Sequence, residues 1–151
     1  ALPFWRFMEL ALYAPGLGYY SAGATKLGPG GDFITAPELG PLFAECVIEA
    51  LAPALAPLGE DAIFLEIGGG TGAFAEVAMH RLAALGALPA RYAILEPSAD
   101  LRQRQQDRLR ERLPPEAFAR VEWLQTPIPS RWNGVVFANE VIDALPTSRF
   151  A

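Results

Sequence analysis

Four short runs of apolar residues mark the second half of the chain: Ala62 to Ile67, Tyr92 to Glu96, Val121 to Leu124 and Gly134 to Ala138. Each is too short for a stable helix. Each is also apolar almost throughout rather than at alternate positions, which is how a strand reads when both faces are covered. Between the first two runs, Phe74, Val77, Ala78, Leu82 and Leu85 recur at helical spacing over Ala73 to Leu85, and Gly86 supplies a stop. Between the second and third, Ser98 can cap a helix running to about Leu113, with Asp100 in its first turn and Pro114 and Pro115 beyond its end. The order is βαβαβ, which requires a parallel sheet with right-handed crossovers and defines a doubly wound α/β class with four legible strands.

The first part of the chain, residues 1–58, has a different pattern from 59–151. Phe4, Phe7, Met8 and Leu12 predict a short helix that Pro15, Gly16 and Gly18 end. A second helix is predicted over about Glu38 to Leu55, with Leu39, Phe43, Val47 and Leu51 facing inward and Pro41 tolerated at its start. The loop between them is rich in Gly and Pro and carries Asp32, Thr35 and Glu38.

Composition narrows the picture. With 151 residues, 52% apolar and 19% charged, the chain fits one globular domain. No apolar run reaches the roughly 20 residues of a membrane helix. Residues 1–9 lack the basic stretch and cleavage site of a secretory signal, so an intracellular location and no membrane partner are expected. The lone Cys46 lies in an apolar run and is expected in the core. A net charge of −5 argues against a nucleic-acid partner and is compatible with a cationic substrate. Arg102, Arg104, Arg108, Arg110 and Arg112 read as a solvated helix face paired with Asp107 and Glu111. His80 faces away from the glycine loop by spacing, and Trp5, Trp123 and Trp132 read as packing residues.

The chemistry lies in Glu66-Ile67-Gly68-Gly69-Gly70-Thr71-Gly72, which runs from the first strand into a helix. Glycines there allow a sharp turn and close approach of a ligand, while the helix N-terminus offers unpaired N–H groups. Two cofactor classes use such a loop. Gly68, Gly70 and Ala73 fit dinucleotide spacing, and Gly68, Gly70 and Gly72 fit the tighter pattern of S-adenosylmethionine enzymes. Glu66 discriminates between them, because an acid there would repel a pyrophosphate and attract a sulfonium and an ammonium. Glu96, ending the second strand, can accept both ribose hydroxyls in either class. The alternative for both acids is an exposed strand end without a ligand. Leu124 and Gln125, after the third strand, would lie near the adenine.

This loop resembles motif I of class I methyltransferases. Further motifs narrow the resemblance: Gly18-Tyr19-Tyr20, Gly31-Asp32-Phe33-Ile34-Thr35-Ala36-Pro37-Glu38 and Ala138-Asn139-Glu140-Val141-Ile142-Asp143-Ala144-Leu145-Pro146. Together they are similar to the MidA family, bacterial relatives of a mitochondrial respiratory complex I assembly factor. Thr71 departs from an arginine-bearing version of the loop. The resemblance implies a class I Rossmann-like fold, S-adenosyl-L-methionine as cofactor, and methyl transfer to a protein. In the mitochondrial relative the acceptor is an arginine of a complex I subunit. It further implies a cytoplasmic protein in a bacterium or a mitochondrial matrix protein in a eukaryote. Members of that family are longer, so the chain reads as an N-terminal fragment whose fourth strand would leave an unpaired edge, a route to homo-oligomers.

Transfer from a sulfonium needs alignment more than activation. A guanidinium acceptor, protonated and delocalised, needs carboxylates to orient it and to stabilise moving positive charge. Glu140, just past the fourth strand, is the leading substrate carboxylate. Asp143 either assists it or holds the turn, and Asn139 either contacts the methionine portion or caps that turn. Asp32, Thr35 and Glu38 form a lid or acceptor wall, or else a turn that starts the next helix. The competing readings are an NAD-binding oxidoreductase and an assembly factor that binds cofactor without catalysis.

Overall fold

The computed structural model describes residues 2–20, 34–59, 61–128 and 131–150. Four parallel strands, β1 (Ile63–Ile67), β2 (Arg91–Leu95), β3 (Val121–Leu124) and β4 (Gly134–Ala138), form a sheet in the order β3-β2-β1-β4. β1 is central, with Phe64 opposite Tyr92 on one side and Val135 on the other. The chain order reverses at β1, and its carboxyl end is therefore the crevice in which ligands of open α/β sheets bind. The expected strands fall within a residue of their predicted limits.

Among the described residues five α-helices accompany the sheet: α1 (Phe4–Tyr13), α2 (Leu42–Leu55), α3 (Ala73–Ala84), α4 (Ala99–Arg112) and α5 (Pro115–Phe118). The α4 cap is the expected one, with the Ser98 hydroxyl accepting from the Leu101 N–H. Pro114 and Pro115 do not simply end the chain's helical path, because Pro115 opens the short α5. A proline at N1 has its φ already set for a helix and lacks an N–H that would go unpaired there. The second helix starts later than expected. Ala36–Glu38 is an isolated 3-10 turn, and α2 begins at Leu42 and runs through Pro53.

Helices α2 to α5 lie over one face of the sheet. Their inward residues, among them Ile48, Phe74, Met79, Leu82, Leu109 and Ala117, join Phe64, Tyr92 and Ile94 in one core. The Phe64 and Tyr92 rings stack at 5.0 Å and 5°, and Phe74 stacks on Phe137 at 4.1 Å. Burial of each such ring is worth about 2–3 kcal/mol. The opposite face holds a smaller cluster of Ile63, Leu65 and Ala93, covered in part by Ile128 and Trp132. Val136 on β4 is 54% exposed, so among the described residues only one layer of the double winding is in place.

Two burial expectations change. The buried line of α2 is Ala44, Ile48, Ala52 and Leu55, with Phe43, Val47 and Leu51 flanking it and Leu39 exposed. Cys46 lies two residues past Ala44, about 200° round the helix, and is exposed rather than core. Trp5 is 44% exposed, whereas Trp132 packs as expected. The arginines of α4 reach beyond their own helix. Arg108 pairs with Glu76 of α3 at 2.6 Å, and Arg102 donates to the Glu96 and Pro97 carbonyls. Among the described residues no helix is long and apolar enough to cross a membrane.

Candidate functional site

A cavity of about 640 Å³ opens at the carboxyl ends of β1, β2 and β4, within the range of small-ligand sites. Its floor is the glycine loop. Gly68, Gly70 and Gly72 all have positive φ. At Gly68 (φ 71°) the requirement is double, because a Cβ would also sit 2.7 Å from Val141 Cγ2. The loop after β1 and the loop after β4 are thus in contact at a point where only glycine fits.

Glu66 and Glu96 are 3% and 4% exposed, so neither is an acid at an open strand end. Glu66 accepts a 2.8 Å hydrogen bond from the Tyr92 hydroxyl. Burial raises its pKa to about 7, the Tyr92 bond works against that rise, and nearby Glu96 adds to it. Tyr92 is driven up in turn, by burial first and by Glu66. Glu96 accepts from the Ser98 N–H at 2.9 Å and from Gln105 Nε2 at 3.4 Å. Burial lifts its pKa, and these two bonds with Arg102 oppose the lift.

The other predicted residues divide. Gly68, Gly70, Thr71, Thr35, Gln125 and Asn139 line the cavity. Gly72 lies just beneath it as the N-cap of α3. Leu124 instead packs on the opposite face of the sheet with Ile63, Leu65 and Ala93. The Thr71 hydroxyl donates to Glu38 and accepts from Arg108 at 3.3 Å, so it ties the 3-10 turn to α3 and α4 rather than projecting free. Asp32 lies outside the described residues. His80, as expected, is directed away, against the Arg112 carbonyl.

Glu140 and Asp143 both line the cavity. Glu140 has φ 52°, the only positive φ at a non-glycine among the described residues. Asp143 lies in the 3-10 turn Ile142–Ala144. Beside them stands a wall that local spacing did not reveal: Glu9 and Tyr13 of α1, and Tyr20 beyond it. Tyr13 donates to the Ala144 carbonyl at 2.8 Å and stacks on Tyr20 at 5.6 Å. Burial raises the pKa of Tyr13, with Tyr20, Glu96 and Asp143 adding to the rise, and burial and Asp143 raise that of Tyr20. The tyrosines therefore sit in the field of the same carboxylates. Only the Gly18-Tyr19-Tyr20 motif hinted at this wall.

The charged side chains described in the lining are Glu9, Glu38, Glu66, Glu96, Glu140 and Asp143, and none is basic. Such a lining suits a ligand with ribose hydroxyls and positive charge, and it opposes a pyrophosphate. The sheet order, the glycine loop and the two buried strand-end acids define a Rossmann-like fold built for a nucleoside cofactor.

The comparisons with known proteins agree. The model of Methyltransf_28, described as "Putative S-adenosyl-L-methionine-dependent methyltransferase", matches residues 43–151, and the chain belongs to this family. A COG1565 superfamily member from Burkholderia thailandensis, bound to S-adenosyl-homocysteine, is 48% identical with a TM-score of 0.86. The match covers 96% of this chain and 38% of that one. A second COG1565 superfamily structure from the same organism, described as an uncharacterized ACR, is 45% identical with a TM-score of 0.79, over 96% of this chain and 36% of that one. The chain thus spans under two-fifths of either structure. No curated protein matches it. Family membership decides the choice that the glycine loop left open: the cofactor is S-adenosylmethionine, and the NAD reading falls.

Proposed function

We propose that the chain forms the cofactor-binding part of a protein methyltransferase whose acceptor is an arginine, of the MidA type, acting on a respiratory complex I subunit. The supporting observation is the cavity lining, six carboxylates and two tyrosine faces with no basic side chain described among them. A planar cation fits such a wall, because carboxylates can take its N–H groups in pairs and tyrosine rings can stack on it. The site of action would be the bacterial cytoplasm, or the mitochondrial matrix in a eukaryote.

S-adenosylmethionine supplies a methyl group on a positively charged sulfur. Glu66 would balance that charge, Glu96 would accept hydrogen bonds from the ribose hydroxyls, and Asn139 would donate to the methionine carboxylate. Glu140 and Asp143 hold the guanidinium and keep one nitrogen aimed at the methyl carbon. Bound there, the cofactor would supply its methyl group by displacement, an N–C bond formed at the expense of the S–C bond, whose electron pair would stay on sulfur. The guanidinium gives up one N–H proton through the carboxylate pair to water, and the product remains a cation. Removal of Glu140 should cost about 100-fold or more in transfer, the scale for an electrostatic group at the reacting centre, with cofactor affinity unchanged.

The test compares cells that express the full-length wild-type protein, Glu140→Gln, or neither. Mass spectrometry would read methylarginine on complex I subunits, and calorimetry would read S-adenosyl-homocysteine binding. Loss of methylarginine with binding retained is expected. Equal methylarginine in all three lines overturns the acceptor, and complex I assembly that survives loss of the mark favours a scaffold.

A further inference from the structure

A fully buried amide lies under the cofactor cavity, outside its lining. Gln105 is 0% exposed, on a helix whose sequence is otherwise strongly polar. Its Nε2 donates to the Gly70 carbonyl at 2.9 Å and to Glu96 Oε2 at 3.4 Å, and its Oε1 accepts from Trp123 Nε1 at 3.0 Å. One side chain therefore ties together the loop after β1, the end of β2 and the middle of β3.

The direction of this amide is forced. An indole N–H can only donate, so the amide oxygen must face Trp123. The NH2 group is then left to face two acceptors, the loop carbonyl and the carboxylate. A flipped amide would set oxygen against oxygen at two contacts and N–H against N–H at the third. Packing adds to the constraint, since a Cβ at Gly69 would lie 3.1 Å from Nε2, and one at Gly72 would lie 3.4 Å from Gln105 Cγ. The glutamine occupies the space left by the loop glycines. Glu96 is held by one bond on each oxygen, from Ser98 and from Gln105, which leaves lone pairs on both for a ligand.

We propose that Gln105, oriented by Trp123, is the positioning residue for the nucleoside half of the cofactor: it sets the Glu96 carboxylate and the Gly70 peptide in the geometry that the ribose meets. This rests on the reading of Glu96 as the acceptor for ribose hydroxyls. Gln105 touches no ligand itself, so its removal should weaken the cofactor through those hydroxyls and not across the whole molecule.

Calorimetry with S-adenosyl-homocysteine and its 2′-deoxyribose analogue provides the test, on wild type, Gln105→Leu and Trp123→Phe. Wild type should favour the hydroxylated ligand by about tenfold or more, the scale of one hydrogen bond to a charged group. Both variants should lose most of that preference, with the deoxy analogue bound nearly as in wild type. If Gln105→Leu fails to fold, Trp123→Phe decides alone, because the indole neither lines the cavity nor replaces the amide. Wild-type preference retained in the variants, or equal weakening of both ligands, overturns the role of Gln105. Absence of preference in the wild type overturns the role of Glu96 and that of Gln105 with it.

Discussion

Glu66 is a carboxyl that holds its proton more firmly folded than unfolded, and substitution by glutamine should expose what that costs. Its pKa rises from 4.5 to about 7, chiefly through burial. Between these values the folded chain keeps a proton that the unfolded chain has released, so stability falls as pH rises. The stability due to the protonated carboxyl is complete below about 4.5 and is lost as pH rises through about 7. Each unit is worth about 1.4 kcal/mol, so the loss approaches about 3 kcal/mol by pH 8. Glu66→Gln keeps a carbonyl oxygen for Tyr92 and cannot ionise. Its buried NH2 adds a constant offset of about 1–3 kcal/mol, but the slope with pH should flatten by the amount given. Urea denaturation of the ligand-free protein at pH 5, 6, 7 and 8 would measure it. Glu96, also raised, titrates in both proteins, so the difference reports Glu66 together with its coupling to Glu96. Parallel stability curves for wild type and variant would refute the assignment.

Two further outcomes follow from geometry alone. A Cβ on Gly134 would lie 1.9 Å from the Ile63 carbonyl oxygen and 2.6 Å from the Trp132 ring, so Gly134→Ala should push β4 off β1. A loss of about 3 kcal/mol or more in urea is expected, and an unchanged midpoint would contradict the β1–β4 pairing. Cys46, being exposed, should react with an aromatic disulfide reagent in the native protein, and Cys46→Ser should shift stability by less than about 0.5 kcal/mol. Reaction only after unfolding would place it inside.

The sheet was legible because buried parallel strands carry continuous apolar runs, and the two acids were legible because each ends such a run. The rest depends on contacts distant in sequence. Tyr13 and Ala144 meet across 131 positions, and nothing in the spacing of Phe4, Phe7, Met8 and Leu12 marks Tyr13 as a cavity residue. Gln105 is embedded among arginines and glutamines, where polarity suggests solvent, and only the Trp123 and Gly70 contacts show that it faces inward. The face of α2 was read one position off, because Phe43, Val47 and Leu51 lie at the same spacing as the truly buried line beside them. Leu124 was placed by analogy of position after β3, but strand alternation turns it to the other side of the sheet.

The backbone of Glu140 sets two demands against each other. At φ 52° a glycine would be the more comfortable occupant, by about 1 kcal/mol. Selection for heat resistance alone would therefore favour replacement here, and a library screened only for thermostability would return Gly or Asn at this position among its early winners. On the role proposed for Glu140, such descendants would melt later and transfer less. A stabilisation campaign on this scaffold should hold residue 140 fixed and seek its gains elsewhere.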